Sequence, residues 1–323
     1  MKYLVTGVTG LLGNNIVREL LSAGEEVRVL VRTTSDPRPL EGLAVERASG
    51  DVRDAAAVAA ACAGVDVVIH AAGHVHIGWT QLEEHLQINV EGTRNVAEAA
   101  RVAGAKLVHV SSVNALGLGS LAEPADETSA LPGIVECPYV VTKREAELVV
   151  LAEVGRGLSA TIVNPGFMLG PWDWKPSSGK MMLQVTRFAP LAPLGAASFC
   201  DARDVAAGTV AAATRGVSGQ RYILAGHNQS YWAAWKQMAA LVGKRGPLLP
   251  MGPIFRAASL PVLDLHRRLT RREGDANAAT LMMGRQEHCF SSGRAERELG
   301  YCIRPFAETL ADTVAWFRKR GYM

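Results

Sequence analysis

The sequence predicts an α/β protein built on a doubly wound parallel sheet. Two observations support this fold class. Short apolar runs alternate with longer alanine-rich segments of helical character, and the runs lie at residues 3–6, 26–32, 44–48, 65–70, 106–110 and 159–163. A glycine-rich turn follows the first run directly. Strands that alternate with helices form parallel sheets covered on both faces, and 323 residues are enough to bury a large core.

The first strand, its turn and the next helix form a candidate phosphate-binding unit. Gly7, Gly10 and Gly13 follow the strand at 3–6, and a helix is predicted over residues 14–23. A chain that turns sharply beside a pyrophosphate favours residues without a Cβ atom. The helix presents free N–H groups and its positive dipole end to the phosphates. This order of strand, turn, helix and second strand predicts a dinucleotide site rather than a structural glycine cluster.

The end of the second strand bears on the choice of cofactor. Val31 stands where NAD-dependent proteins usually carry an acidic residue for the ribose hydroxyls. Arg32 follows, with hydroxyl residues next to it, and this combination suits a 2′-phosphate. Asp36 in the following loop would serve a ribose, and an Arg32 that stacks on adenine fits either cofactor. The sequence therefore favours NADP and leaves NAD open.

A second group of residues predicts the chemistry. Ser112 follows the strand at 106–110, on the edge where a parallel sheet presents its site. Tyr139 and Lys143 are four residues apart on a helix that Pro138 begins, so they share one face. A nearby lysine favours the phenolate and is expected to lower the pKa of the tyrosine from about 10. The Ser112 hydroxyl can hold a carbonyl oxygen against Tyr139, so the sequence predicts a hydride-transfer site.

In these motifs the chain resembles the extended short-chain dehydrogenase/reductase superfamily. The resemblance rests on residues 6–13, 50–54, 70–73, 89–96, 110–112, the Tyr/Lys pair and residues 164–166. Later stretches resemble the branch of dihydroflavonol reductases, 3β-hydroxysteroid dehydrogenases and hopanoid-associated sugar-epimerase-like proteins, and these are residues 170–176, 201–206 and 298–301.

The resemblance implies two parts of the chain with different binding roles. Residues 1–166 would form a Rossmann-type dinucleotide-binding domain to which 199–225 return, and residues 167–198 and 226–323 a smaller, discontinuous substrate lobe. The implied catalytic residues are Ser112, Tyr139 and Lys143. The implied cofactor-binding residues are Gly7, Thr9, Gly10, Leu11, Leu12, Gly13, Arg32, Asp51, Val52, Ala71, Ala72, Gly73, Tyr139, Lys143, Pro165, Gly166 and Met168. The helix at 89–103 and the helix of Tyr139 match those that form a homodimer interface in relatives.

The expected function is an NADP(H)-dependent oxidoreductase for a small-molecule ketone and secondary-alcohol pair. Ser112 would orient the carbonyl, Tyr139 would move its proton, and Lys143 would hold the nicotinamide ribose and tune Tyr139. A nucleotide-sugar 4-epimerase that retains NAD uses the same residues and stays open. A redox sensor that binds NADP without turnover also stays open, although it has no need of all three residues.

The composition argues against a nucleic-acid partner, a membrane span and a metal site. A net charge of +3 gives no reason to expect nucleic acid as a partner. No apolar run is long enough to span a bilayer, and no signal peptide is expected. His70, His74 and His76 lack a carboxylate or cysteine that would complete a metal site, so no metal is expected. Scattered cysteines indicate a reduced, cytoplasmic protein, and they are Cys62, Cys137, Cys200, Cys289 and Cys302.

Two segments are candidates for the substrate side. Trp172 and Trp174 either face the substrate or pack their own loop. Residues 253–272 mix apolar side chains with arginines, and an amphipathic helix is predicted after Pro261. That helix has three interpretations, namely a packed surface helix, a cap that selects a bulky apolar substrate, or a helix lying on a membrane surface. Its apolar and basic residues are Ile254, Phe255, Arg256, Leu260, Val262, Leu263, Leu265, Arg267, Arg268, Leu269, Arg271 and Arg272.

Overall fold

The computed structural model describes residues 1–129, 133–187, 189–270, 273–274 and 276–323, without the side chains of Ile254 and Arg256. Arg271 and Arg272 of the predicted amphipathic segment lie outside the described residues. The strands, in chain order, are β1 (Lys2–Thr6), β2 (Glu26–Val31), β3 (Glu46–Ser49), β4 (Val67–His70), β5 (Lys106–Val110), β6 (Ala160–Pro165), β7 (Phe167–Leu169), β8 (Leu191–Ala192), β9 (Ala196–Asp201), β10 (Arg221–Leu224), β11 (His227–Ser230), β12 (Leu249–Pro250) and β13 (Glu287–His288).

The α-helices are numbered separately, also in chain order. They are α1 (Leu11–Ser22), α2 (Ala55–Cys62), α3 (Leu82–His85), α4 (Gly92–Ala103), α5 (Pro138–Gly155), α6 (Gly179–Arg187), α7 (Ala202–Arg215), α8 (Tyr231–Ala240), α9 (Pro253–Thr270), α10 (Ala278–Met283), α11 (Gly293–Leu299) and α12 (Phe306–Lys319). A π-helical turn over Leu86–Glu91 joins α3 to α4. The helix predicted at 89–103 is therefore divided, since its first residues belong to this wider turn.

The large sheet has seven parallel strands in the order β10-β6-β5-β4-β1-β2-β3. The end of β1 is in register with its neighbours, because Thr6 pairs with Leu30 on one side and with His70 on the other. This register brings the carboxyl ends of β1, β4, β5 and β6 to the same edge. The predicted Rossmann-type α/β fold is confirmed.

Helices cover both faces of the large sheet, as alternating strand residues require. One face carries Val5 and Val108, which belong to a buried cluster with residues of α1 and α7. The other face carries Leu4 and Leu107, which belong to a cluster with residues of α2, α4 and α5. All four side chains are buried, so the apolar runs of the sequence are explained by a sheet that is covered twice.

A second lobe is assembled from separate parts of the chain. Strands β11, β9 and β13 form a small sheet in that order, and β7 pairs with β9. Residues 199–201 belong to this small sheet, whereas α7 packs against α1 and β10 pairs with β6. The lobe has its own buried cluster, which includes Phe199, Trp235 and Phe317.

Helix α9 differs from its prediction. It begins at Pro253 and contains Pro261, rather than beginning after Pro261. A proline suits the first helical position, and a second proline removes only one backbone hydrogen bond and bends rather than ends a helix. Among the described residues, no helix is both long and apolar enough to cross a bilayer.

Candidate active site

The glycine turn closes tightly on the neighbouring strand end. Gly7 has φ = +73°, a conformation that side chains disfavour. A Cβ atom at Gly7 would lie 2.5 Å from the backbone carbonyl of Ala71. A Cβ atom at Gly13 would collide with the carbonyl oxygen of Gly7. Both positions therefore require glycine, and they hold the start of α1 against the end of β1.

The N-terminus of α1 fits a phosphate group. The helix begins at Leu11, earlier than predicted, because extended Gly10 is its N-cap and accepts the first bond from the Asn14 N–H at 3.0 Å. Among the described residues, no side chain caps this end, and its first turn carries no acidic residue. The first N–H groups are thus left to an outside acceptor. Thr9, Leu11 and Leu12 lie in this turn and at the helix start.

Two arginines and one carboxylate lie close together just after the ends of β2 and β3. Arg32 follows β2, and its Nη1 atom lies 3.9 Å from Oδ2 of Asp51, which follows β3. Arg53 donates to both Asp51 oxygens, at 2.9 and 2.8 Å. These bonds lower the pKa of Asp51 to about 2. Sequence reasoning missed Arg53, although its place two residues after Asp51 allows the paired contact.

Asp36 and Val52, the other residues expected near the adenosine part of the cofactor, bond to neighbouring protein groups. Asp36 pairs with Arg38 through Nε at 2.9 Å and lies in an exposed loop. Val52 is buried, and its carbonyl accepts a bond from the Asn95 side chain at 2.9 Å. Arg32, which is 58% exposed, is thus the less firmly held of the two arginines beside Asp51.

The segment after β4 is fixed by a buried relay of side chains. Thr6 Oγ1 accepts a bond from the Ala72 N–H at 3.2 Å and lies 2.8 Å from Nδ1 of His70. The other ring nitrogen of His70 lies 3.1 Å from Oγ1 of Thr93. Burial lowers the pKa of His70 to about 3, so the ring is neutral. His70 therefore holds Ala71, Ala72 and Gly73 in place rather than binding a metal.

Ser112 is held by a chain of buried polar groups. The Asn164 side-chain amide donates to the Ser112 carbonyl at 2.9 Å and to Glu147 Oε1 at 2.7 Å. Arg221 donates to the other Glu147 oxygen at 2.6 Å. Glu147 lies on α5 one turn beyond Lys143. Glu147 and Arg221 were not predicted, since they meet only when β6, β10 and α5 come together.

Tyr139 and Lys143 share the buried face of α5. Lys143 Nζ donates to the Val110 carbonyl at 2.9 Å, and burial lowers its pKa to about 8, with Glu147 opposing that shift. The expected lowering of the Tyr139 pKa is not what the structure gives. Burial raises it above 10, and the neighbouring Ser112 hydroxyl opposes the rise. The difference arises because both groups are cut off from water.

Asn89 and His85 are buried next to α5, close to Tyr139. Asn89 accepts a bond from the His74 N–H at 2.7 Å and donates to Thr142 Oγ1 at 3.2 Å, so it joins the π turn to α5. His85 is fully buried, and its ring centroid lies 6.2 Å from that of Tyr139. Burial lowers the pKa of His85 to about 4. Sequence reasoning missed His85, one helical turn before Asn89.

His74 and His76, the other two histidines of the sequence cluster, each lie near one polar side chain. His74 Nε2 lies 2.7 Å from the Gln81 amide oxygen, and His76 Nε2 lies 3.6 Å from Glu273. In the described part of the chain, no cluster of His, Cys, Asp or Glu side chains is arranged to hold a metal ion.

Trp172 and Trp174 pack their own loop. The Arg18 guanidinium lies 3.3 Å from the centre of the Trp172 ring, and the Arg320 guanidinium 4.1 Å from that of Trp174. Trp316 contacts both rings. These contacts tie the loop to α1 and α12, as the loop-packing alternative predicts.

The other predicted cofactor residues lie along the junction between the two sheets. Pro165 ends β6, Gly166 joins it to β7, and Met168 lies within β7 beside Cys200. A Cβ atom at Gly166 would lie 2.6 Å from the Ser198 carbonyl oxygen. The turn that links the sheets therefore also depends on a glycine.

Apolar residues surround Tyr139 on the side of the second lobe. Its buried cluster includes Ile134, Val135 and Ala279, with Ile77, Trp79 and Met283 partly buried against it. A cavity of about 330 Å³ lies beyond α10 and is lined by Thr280, Leu281 and Gly284 of that region, with Leu194, Trp235 and Phe255. Helix α10 thus stands between Tyr139 and the cavity.

Comparison with known proteins agrees with this geometry. Residues 3–225 match the model of the NAD dependent epimerase/dehydratase family. The chain is 37% identical over 327 residues to sterol demethylase protein B of Methylococcus capsulatus, with 99% of each chain covered. It is 32% identical over 347 residues to a putative dihydroflavonol 4-reductase of Synechocystis, covering 99% of this chain and 96% of that protein.

A solved structure is also similar. A nucleoside-diphosphate-sugar epimerase from Pseudomonas aeruginosa superposes with a TM-score of 0.83 at 26% identity, covering 100% of this chain and 99% of the other. The resemblance drawn from the sequence is confirmed. The chain belongs to the NAD-dependent epimerase/dehydratase family and is an NAD(P)-dependent oxidoreductase of the extended short-chain dehydrogenase/reductase type.

Proposed function

We propose that the protein uses NADP(H) to interconvert a ketone and a secondary alcohol on a bulky, largely apolar substrate. The observation that carries this proposal is the buried Tyr139 phenol, whose pKa is influenced by the neighbouring Ser112 hydroxyl, at the carboxyl edge of the sheet. Lys143 lies one helical turn behind it. In this proposal, residues 1–166 bind the cofactor and the smaller lobe binds the substrate.

Each residue has a distinct task. The Ser112 hydroxyl donates to the carbonyl oxygen of the substrate, and the Tyr139 phenol gives that oxygen a proton during reduction. Lys143 places a positive charge behind the phenol and binds the nicotinamide ribose. The cofactor, held by the glycine turn and the start of α1, supplies the hydride. Neutral His85 excludes water from one side of the phenol.

The choice of NADP follows from the charges beside Asp51. Arg32 and Arg53 both contact that carboxylate, and Arg32 is held only at 3.9 Å. Guanidinium groups are the preferred partners of phosphate oxygens. NAD-dependent relatives carry an acidic residue at the end of the second strand, where this chain has Val31. We therefore assign the 2′-phosphate to Arg32 and Arg53.

The apolar surroundings of Tyr139 support an apolar substrate. Ile77, Trp79 and Met283 offer few groups that could bind a sugar hydroxyl or a diphosphate. The name of the Methylococcus relative refers to sterols, which fits this lining. A nucleotide-sugar epimerase would use the same Ser, Tyr and Lys, and a redox sensor would bind NADP alone, but neither needs this apolar enclosure.

The assembly and location are part of the proposal. Leu148 of α5 and Val102 of α4 are exposed, and these helices match those that pair in relatives, so we propose a homodimer through them. The cysteines are free, as expected for a reducing compartment. We therefore place the protein in the cytoplasm.

The test is turnover by the wild type and by Tyr139→Phe. NADPH oxidation is measured with a panel of apolar ketones and, separately, 4-epimerisation with UDP-sugars. Tyr139→Phe should lower turnover by about 10²–10⁴-fold while NADPH still binds, since only the transferable proton is lost. Tyr301→Phe is the control, because Tyr301 is a buried tyrosine whose hydroxyl donates to the Ala225 carbonyl at 2.9 Å. Wild-type protein that epimerises UDP-sugars and reduces no ketone would refute the proposal.

A further inference from the structure

Helix α9 exposes an apolar stripe to solvent. Phe255, Val262, Leu265 and Leu269 are between 40 and 76% exposed. Their spacings of seven, three and four residues place them along one side of the helix. We call these four residues the α9 stripe. Helices in water normally bury such a stripe, so a continuous exposed one marks an interaction surface.

The opposite side of α9 already supplies the packing contact. Leu260 and Leu263 are half-buried there. None of the described side chains of α9 is fully buried. The helix therefore has two apolar sides. On the stripe side, Phe255 borders the cavity of the lobe, whereas Val262, Leu265 and Leu269 are each more than half exposed. The α9 stripe is not explained by packing on the lobe or by a cap whose apolar face points inward.

The sequence that contains α9 is rich in positive charge. Residues 244–272 contain seven Lys and Arg and one Asp, a formal charge of +6 in a chain whose net charge is +3. The single acid within this segment, Asp264, pairs with Arg267 and Arg268 at 2.6 and 2.7 Å, and Glu273, directly after the segment, lies 3.9 Å from Arg267. The rest of the chain is thus net negative, and the excess of positive charge belongs to this segment. An exposed apolar stripe with basic flanks is typical of helices that lie in a lipid interface.

We propose that α9 docks this protein on the surface of an anionic lipid bilayer, with the α9 stripe in contact with the acyl chains. A second copy is the competing occupant. Two copies related by a two-fold axis would place two segments of charge +6 against each other, and like charges across an interface are costly. Anionic lipid complements both the apolar and the basic character of the segment.

The cavity described above lies next to the α9 stripe. Phe255 belongs to the α9 stripe and also lines the cavity of about 330 Å³, so docking places the cavity beside the acyl chains. Delivery of an apolar substrate from the bilayer to this cavity, which α10 separates from Tyr139, rests on the proposed function. The docking itself does not rest on it, since lipid binding requires no turnover.

The test is cosedimentation of the full-length protein with vesicles. One set contains equal parts of phosphatidylglycerol and phosphatidylcholine, and the other contains phosphatidylcholine alone. The wild type should sediment with the anionic vesicles, bind the neutral ones at least about tenfold more weakly, and be released by salt. The double variant Leu265→Ser/Leu269→Ser should lose about a hundredfold in affinity for the anionic vesicles with an unchanged Tm. Val217→Ser, at an exposed valine between α7 and β10, is the matched control and should bind like the wild type.

Several results would overturn the docking. Wild-type protein that stays in the supernatant with anionic vesicles would overturn it. An equal loss of vesicle affinity in the double variant and in Val217→Ser would overturn it as well. A wild type that forms a larger oligomer, lost in the double variant, without binding vesicles would assign the stripe to a second copy. NADPH-dependent turnover of a water-soluble ketone is measured on the same samples. Retained turnover with no vesicle binding would refute the docking alone, and vesicle binding with no turnover would refute the proposed function alone.

Discussion

The replacement Arg32→Ala tests how the protein selects its cofactor. Arg32 is 58% exposed, and its nearest acidic partner, Asp51, is 3.9 Å away. An exposed and distant ion pair contributes about 0–1 kcal/mol to folding, so the variant should fold normally. A hydrogen bond to a charged group contributes about 1.5–3 kcal/mol. The affinity for NADPH should therefore fall about ten- to a hundredfold, whereas the affinity for NADH should change little.

The neighbouring charges refine this magnitude. Asp51, with a pKa of about 2, stays ionised throughout any practical assay and would repel a 2′-phosphate. Arg53 holds that carboxylate through two bonds, so only Arg32 is free to turn fully towards a phosphate. We expect Arg53→Ala to weaken NADPH as well, because it removes a positive charge and leaves Asp51 uncompensated.

The assay is a fluorescence titration of NADPH and NADH into each variant. Arg38→Ala is the matched control, since Arg38 is an exposed arginine that pairs with Asp36 in the same loop. The reasoning is refuted if Arg32→Ala lowers the affinities for NADPH and NADH equally, or if wild type prefers NADH. The second result would also favour the epimerase alternative.

Two further predictions concern α5. Glu147→Gln removes the charge that holds the Lys143 pKa up, so the loss of ketone reduction at high pH, as Lys143 loses its proton near pH 8, should move to lower pH. Glu153→Gln, on the same helix but paired with Arg101 and Arg156, should leave the pH profile of kcat/KM unchanged, and equal shifts in both would contradict the role of Glu147. Leu148→Asp should convert the proposed dimer into a monomer in light scattering, because it places a charge on the exposed side of α5, and an unchanged mass would place the interface elsewhere.

The parts of the site that the sequence predicted depend on short-range geometry. Gly7 and Gly13 were predicted because the strand, turn and helix are contiguous in the chain, and the turn tolerates no Cβ atom. Tyr139 and Lys143 were predicted to share a face because a helix repeats every 3.6 residues. Ser112 was predicted because it follows a strand, and the ends of parallel strands meet at one edge of the sheet.

The environment of these residues was harder to predict. The sequence suggested a Tyr139 pKa lowered by Lys143, whereas burial raises it and Lys143 instead donates to the Val110 carbonyl. Burial depends on what covers a residue, and the covering elements are distant in the chain. The same reason applies to His85, whose ring lies beside Tyr139 although more than fifty residues separate them.

The sequence by itself determined the fold class, the glycine turn and the Ser, Tyr and Lys set, because these follow from local periodicity and from contiguous motifs. Only the tertiary structure decided that Arg221 and Glu147 support Ser112 through Asn164, because these residues come from different strands and a helix. Only the tertiary structure decided that Trp172 packs its loop and that the α9 stripe faces solvent. The physical reason is that a pattern of apolar residues shows which side of an element is apolar, whereas the packing of the whole chain decides whether another element covers that side.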